Sequence, residues 1–359
     1  MTGTSCDGLD AALVRLEGRG FAVRGTLVRA LSRPLGPLGA RLREFSAGAV
    51  LSAGAAAGLC LEFSRLHADA VRELLAGERA DLVCVHGQTV FHRPPVSWQM
   101  FSPWPVVVAA GAPVVFDLRG ADLAEGGQGA PITPTADWVL FRGPEPRAVV
   151  NLGGFCNVSL LPAAALDDAE AGPRGVRGMD VCACNQVLDA AARRALGQAF
   201  DEGGGAALRG HADDQARAEL AGILAGQAGA GRSLGSGDEA GAWVSRHAVR
   251  LGPEDLLRSA CAAIAGTIAA ALPRGARAIL AGGGAHNRCL ADLLAERLGE
   301  PVRTTADLGV PVGSREAVAF AILGALCQDR VPITLTGVTG SRGGAGAGPV
   351  SGCWAYPTS

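Results

Sequence analysis

Lysine is absent from the chain, so every one of its 32 basic residues is an arginine. A Walker phosphate loop needs a lysine on the phosphates, and Schiff-base or pyridoxal enzymes need a lysine amine, so both chemistries drop out. Long apolar runs are absent too: the Ala- and Gly-rich stretches break well before the roughly 18 residues of a membrane span. No basic-then-apolar leader precedes Thr2. Runs of like charge are missing and the formal net charge is −2, which speaks against a nucleic-acid footprint or a polybasic membrane patch. The expectation is a soluble cytoplasmic protein whose partners are small molecules or copies of itself.

Disulfides are not expected from the ten cysteines, which are scattered, several of them within apolar runs (Cys60, Cys84, Cys261, Cys327) where a reduced thiol acts as a small hydrophobe. The one tight pair, Cys182 and Cys184, lacks the second pair or neighbouring histidines of a metal site.

What the chain does have, at 359 residues and 48% hydrophobic, is material for two domains. A hairpin pattern over 9–31 precedes an Ala/Leu-rich helical stretch over 36–77, with Leu59, Phe63, Leu66 and Val71 at helical spacing. Strand patterns follow at ADLVCV, PVVVAAGAPVVFDLRG, RAVVNLGGFCNVSLL, RGVRGMDVCACN, ARAIL and PVRTT, alternating in the second half with helical stretches at 185–199, 216–226, 256–272, 290–298 and 314–327. Such alternation predicts α/β layers. The Gly- and Ser-rich tail from Thr336 reads as flexible in part.

Small, glycine-rich turns recur at strand ends, where open α/β sheets bind ligands. The opening GTSCDG is either a frayed leader or a turn whose backbone and hydroxyls (Gly3, Thr4, Ser5, Gly8) cradle phosphate while Asp7 holds Mg²⁺ through water. NLGGFCNVS offers Asn151, Gly153 and Gly154 to a second phosphate, and LAGGGAHN offers Gly282, Gly283 and Gly284 for close approach of a nucleotide. Each turn is weak alone; three of them in an α/β chain without a P-loop point to the two-lobed actin, hexokinase and sugar-kinase architecture. Among the acids, Asp180 ends a strand and precedes a helix, a place for a general base. Asp117, Arg119 and Asp122 sit in a stretch too polar to be plain core, and Glu316 opens a helix; for each acid a solvated surface role is the competing reading. His86 and His92 are six apart, poor spacing for a shared metal, and read as support for a polar turn.

The motifs GTSCDGLDAALV, VHGQTVFHRP, FDLRGADLAEGGQGAPITP, NLGGFCNVS, AGGGAHN and LGVPVGSREAVAFAILG, in this order, closely resemble the anhydro-N-acetylmuramic acid kinases of bacterial cell-wall recycling. The resemblance runs from Thr2 to about Ser341. It implies a two-domain sugar-kinase and actin-like fold with a central interdomain cleft, one lobe formed by 1–116 plus 331–359 and the other by 117–330. It implies ATP, Mg²⁺ and a homodimer, and a reaction that hydrolyses the 1,6-anhydro bond while phosphorylating O6. Carried over, Asp180 is the catalytic base, Gly3, Thr4, Ser5, Asp7 and Gly8 the phosphate turn, Arg119, Asp122 and Glu316 sugar-binding residues, and Gly282–Gly284 the nucleotide side.

Two departures stand out. The family's Thr-Gly-Pro-Gly-Asn turn after the catalytic aspartate is here Val181, Cys182, Ala183, Cys184 and Asn185, so glycine-only dihedrals are not expected there. The apolar strand that precedes the phosphate turn in the family is not in this sequence, so the turn is expected to lack support, as from a start codon placed late or a truncated chain. The alternatives are an ATP- and sugar-binding sensor with impaired turnover, and a kinase for another sugar.

Overall fold

The computed structural model describes residues 1–3, 6–165, 172–228, 239–342 and 348–358; Thr4 and Ser5 lie outside the described residues. Two compact units emerge. The first comprises Met1–Pro144, Ala164–Arg177 and Gly309–Ser359, the second Glu145–Ala163 and Gly178–Leu308.

The first unit starts with strands β1 (Gly8–Glu17) and β2 (Arg24–Pro34), an antiparallel pair with a bulge between Leu13 and Val14. Helices α1 (Pro37–Ser46) and α2 (Ala53–Leu75) follow. Ser52 caps α2 by accepting the Ala55 N–H at 3.2 Å. Its buried stripe is Leu59, Phe63, His67, Ala70 and Leu74; Leu66 and Val71 flank it half-buried. Next come β3 (Val83–Cys84), the hairpin β4 (Gln88–Arg93) and β5 (Val96–Met100), helix α3 (Trp104–Ala110), β6 (Val114–Phe116), and helices α4 (Gly120–Ala124) and α5 (Thr133–Phe141). The valine run 106–108, expected as a strand, lies in α3. A proline stands in its first turn and Gly111 closes it at φ +62°, and these caps with packing on α2 outweigh the β preference of valine.

In the second unit, β7 (Arg147–Leu152) and β8 (Phe155–Leu161) form a hairpin. After β9 (Arg177–Ala183) come α6 (Asn185–Leu196), α7 (Gly205–Arg209), α8 (Asp214–Ala228), α9 (Glu239–His247) and α10 (Pro253–Ala271), then β10 (Arg277–Ala281), α11 (Arg288–Leu298) and β11 (Arg303–Thr304). One five-stranded sheet results, in the order β11-β10-β7-β8-β9, with β10 parallel to both β7 and β11. Its core runs from Ala148 on β7 through Val187, Trp243 and Ile264 to Leu294 on α11, all buried.

The chain then returns to the first unit with α12 (Arg315–Gln328), α13 (Thr336–Thr339) and β12 (Cys353–Ala355). Strand β12 pairs antiparallel with β6, and β3 pairs parallel with it, giving a sheet β12-β6-β3 separate from β1-β2. Part of the tail expected to be flexible is therefore a paired strand. The sequence reading divided the chain at 117 and 331; the contacts keep α4, α5 and α12 in the first unit, because α12 packs on β1, β3 and α5. A cavity of about 510 Å³ lies within this unit, lined by Leu9–Leu16 of β1, Val83 and Cys84 of β3, His67, Val71 and Leu74 of α2, and Ala317 and Phe320 of α12.

None of the ten cysteines is joined in a disulfide. No described helix is long and apolar enough to cross a membrane.

Candidate functional site

In the first unit the opening turn is held from three sides. Thr2 bridges to Leu9 and its hydroxyl hydrogen-bonds Gln88 Oε1 at 2.6 Å, the Cys6 N–H reaches the Gly3 carbonyl at 3.1 Å, and the Leu35 N–H reaches the Asp7 carbonyl at 2.9 Å. Cys6 takes φ +52°, and its carbonyl comes so close to Gly39 that a Cβ there would sit 2.3 Å away. Asp7 is exposed and faces Arg43 Nη1 at 3.2 Å, and Gly8 opens β1. The Met1 ammonium is lowered by burial and feels the charges of Asp10 and Glu316.

Next to this turn, on the loops after β3 and β6, Arg119 is gripped by neutral acceptors. Its Nε and Nη2 donate to His86 Nε2 at 3.1 and 2.9 Å, and Nη1 donates to the Gly129 carbonyl at 2.6 Å. Burial pulls the guanidinium down to about 10 against the opposing pull of Glu316 and then Asp122. His86 sits well below the usual histidine range, through burial first and the Arg119 charge second. Its neighbour His92 is lowered by the same two causes, and its Nδ1 lies 2.8 Å from the Ser97 hydroxyl. Asp117, at φ +50°, receives the Gly120 N–H at 3.2 Å, which turns the chain into α4.

Asp122 joins two segments of the first unit. It is 0% exposed, with Oδ2 accepting the Gly129 N–H at 2.8 Å and Oδ1 accepting the Thr339 hydroxyl at 2.7 Å. A Cβ on Gly127 would lie 2.2 Å from its carboxylate. It fixes the GGQG loop whose Gly129 carbonyl takes Arg119. Glu316, in the first turn of α12, is half-buried and close enough for its charge to act on Arg119.

In the second unit, Asp180 stands exposed on β9. Cys156 of β8 is near it: burial pushes that thiol well up, and Cys184, Cys182 and Asp180 add to the push. The β7–β8 turn is locked to the start of α6, since the Gly154 carbonyl accepts the Cys184 and Gln186 N–H groups at 2.9 and 3.2 Å and the Gly153 carbonyl accepts Asn185 N–H at 3.0 Å. These bonds satisfy the first amides of α6, which otherwise end in solvent. None of Val181–Asn185 takes positive φ, as expected from their side chains. Asn185 Nδ2 donates to the Leu152 carbonyl at 3.0 Å. Gly282, at φ +77°, is pressed so close to this turn that a Cβ would lie 2.6 Å from Asn151 Oδ1, and one on Gly284 would lie 2.7 Å from Leu152 Cβ. Asn151, Gly153, Gly154 and Gly282–Gly284 therefore form one surface at the ends of β7 and β10, with β9 two strands away from β7.

The family signature described as anhydro-N-acetylmuramic acid kinase matches residues 1–351. This chain belongs to the anhydro-N-acetylmuramic acid kinase family. The anhydro-N-acetylmuramic acid kinase of Bordetella pertussis is 38% identical over 369 residues, covering 95% of this chain and 92% of that one. Those of Synechococcus sp. and Cupriavidus metallidurans are 33% and 34% identical, covering 95% and 96% of this chain and 95% and 94% of theirs. Among solved structures, a ROK family glucokinase from Streptomyces griseus, in complex with glucose and AMPPNP, is 16% identical with a TM-score of 0.38, covering 88% of this chain and 99% of that one. The mixed α/β architecture in two units agrees with the fold expected of an anhydro-N-acetylmuramic acid kinase.

The sequence reading missed two parts of this kinase's first unit. Thr339 lay in the tail read as flexible, although the T-G-V-T-G run around it is a short capped helix, α13, ending at Gly340 with φ +73°. The grip of His86 on Arg119 joins residues 33 apart and leaves no local spacing signal.

Proposed function

We propose that this chain is an ATP-dependent kinase that adds water across the 1,6-anhydro bond of 1,6-anhydro-N-acetylmuramic acid and phosphorylates O6, giving N-acetylmuramic acid 6-phosphate. The observation that supports it most directly is an exposed carboxylate, Asp180, on the strand that leads into the locked Asn185 turn, in a chain of this family. Asp180 takes a proton from the water that attacks C1. The C1–O6 bond breaks as the C1–OH bond forms, and O6 attacks the γ-phosphorus of ATP, with ADP leaving. Phosphoryl transfer demands position and charge neutralisation more than covalent help. The turns at Gly3–Gly8, Gly153–Gly154 and Gly282–Gly284 hold phosphate and nucleotide through backbone groups, and Arg119 and Glu316 hold the sugar.

A divalent cation fits Asp7: its carboxylate is a hard oxygen donor, 76% exposed, with one oxygen turned to Arg43. Asp7 would hold Mg²⁺ there, and the ion would supply charge neutralisation on the phosphates. The same reading places the enzyme in the cytoplasm as a homodimer.

The test is ATP consumption with Mg²⁺ and the anhydro sugar in ¹⁸O-labelled water. Sugar-dependent turnover with label at C1 of the product is expected. Sugar phosphorylated without label, or ATP bound but never consumed, overturns the reading.

A further inference from the structure

Two arginines of the first unit are built into opposite surroundings. Arg315 is 1% exposed and its fork meets the Asp137 carboxylate, Nε to Oδ1 at 2.9 Å and Nη2 to Oδ2, so its charge is consumed inside the fold. Arg119 is held at comparable distances, but by a ring nitrogen and a carbonyl, neither of which carries charge.

The tautomer of His86 is forced by its partners. Gly87 presents a carbonyl, which only accepts, 2.9 Å from Nδ1, so Nδ1 carries the proton. Arg119 only donates, so Nε2 keeps its lone pair and receives both guanidinium N–H groups. The ring is 6% exposed and packs against Phe320 at a centroid distance of 5.0 Å, which denies it another orientation. On the other side Asp122 fixes Gly129 and thereby the carbonyl that takes Nη1. The fork is thus clamped from two sides, and its positive charge and the N–H groups these bonds do not use stay available to a ligand.

We infer that His86 is a positioning residue: as a neutral acceptor it aims the charge of Arg119 at the anionic or oxygen-rich part of the sugar substrate. This rests on the sugar-binding role proposed for Arg119. It gives the HGQ turn a task that the phosphate and nucleotide turns do not share.

The experiment compares His86→Phe, which keeps a ring and removes the acceptor, with His86→Gln, which restores an acceptor. In His86→Phe, KM for the anhydro sugar is expected to rise about tenfold or more, since a hydrogen bond to a charged group is lost, while KM for ATP and the melting temperature stay near wild type. His86→Gln is expected to recover most of the loss. An unchanged sugar KM in folded His86→Phe overturns the inference, as does a parallel rise in both KM values without rescue by Gln. A second readout needs no turnover: the Arg119 Nε–H signal in ¹⁵N NMR is expected to exchange slowly in wild type and His86→Gln and fast in His86→Phe. Equal exchange in all three overturns the inference even if the kinase reading holds. A wild type that consumes no ATP with the sugar but shows the expected exchange pattern sinks the function and leaves the clamp standing.

Discussion

The second unit carries its five strands in one sheet over a continuous core, whereas the first splits its strands among β1-β2, β4-β5 and β12-β6-β3, with a 510 Å³ cavity lined by β1 and β3. The two units accordingly present functional groups by different means. In the second, Asn151, Gly153, Asp180 and Gly282 sit on strands of one sheet or the turns at their ends, and the ladder itself sets their spacing. In the first, Arg119 sits on a loop and is placed by side-chain frames built from His86, Asp122 and Thr339. Rigidity comes from the sheet in one unit and from satisfied polar networks in the other.

The largest expected effect is on the sheet-borne group. Asp180→Asn keeps shape and removes the base, so turnover should fall about 10³-fold, roughly 4 kcal/mol of barrier, at unchanged melting temperature. Residual activity within tenfold of wild type would mean that another group takes the proton.

The second effect tests whether the split unit fails alone. Asp137→Ala leaves the Arg315 guanidinium buried without its carboxylate, which costs about 3–4 kcal/mol. Both residues join α5 to α12 within the first unit. Amides of β3 and β6 are expected to exchange faster by hydrogen-exchange mass spectrometry while those of β7 and β10 keep their protection. Uniform loss over all four strands would show that the units unfold as one.

The same contrast explains what could be read from the sequence. Strands β7 and β10 were legible because they are largely apolar runs bounded by glycine or polar turns, and the glycines after them stood out because glycine is needed wherever backbones press closely, although their meeting on one surface was not legible. In the first unit the pattern misled at α3, where caps override valine, and at β12, whose Cys-Trp-Ala sequence gains strand geometry only from its partner β6. Asp122 stood out only as part of a polar stretch, and its hydrogen bond with Thr339, 217 residues later, is a pairing no local window contains.

A third effect is pH-dependent and belongs to the cavity. His67 lines it from α2, donates Nδ1–H to the Phe63 carbonyl at 3.0 Å, and has a buried Nε2 with no partner. Burial, then the Met1 charge, hold it down to about 3 from the usual 6.5. A lowered folded value means that the unfolded chain binds the proton more readily, so stability is fully present above about pH 6.5 and is lost as pH falls toward 3. At pH 5 the loss is about 2 kcal/mol relative to pH 7. His67→Leu should reduce the drop in unfolding free energy between pH 7 and pH 5, read from urea titrations, by that amount; His86, lowered in the same direction, retains its share. An unchanged drop would show that protonated His67 is tolerated.

The smallest effect asks whether the division of the first unit can be repaired. Met1 and Thr2 run antiparallel along the edge of β1 that faces away from β2: the Asp10 N–H reaches the Met1 carbonyl at 2.9 Å and Thr2 bridges Leu9. By the alternation of an antiparallel ladder, the Ala12 N–H points to the same side, along an edge lined by the cavity. A short Val/Ile-rich segment fused ahead of Met1 is therefore delivered between β1 and β3, against Leu74 and Phe320, where apolar side chains leave water. A net gain of about 1 kcal/mol would raise the melting temperature by roughly 2–4 °C in a unit of this size and slow exchange at Ala12, while a Gly/Ser segment of equal length does neither. If both segments act alike, the edge of β1 does not take a strand, and the split between the two sheets is a settled feature of the unit.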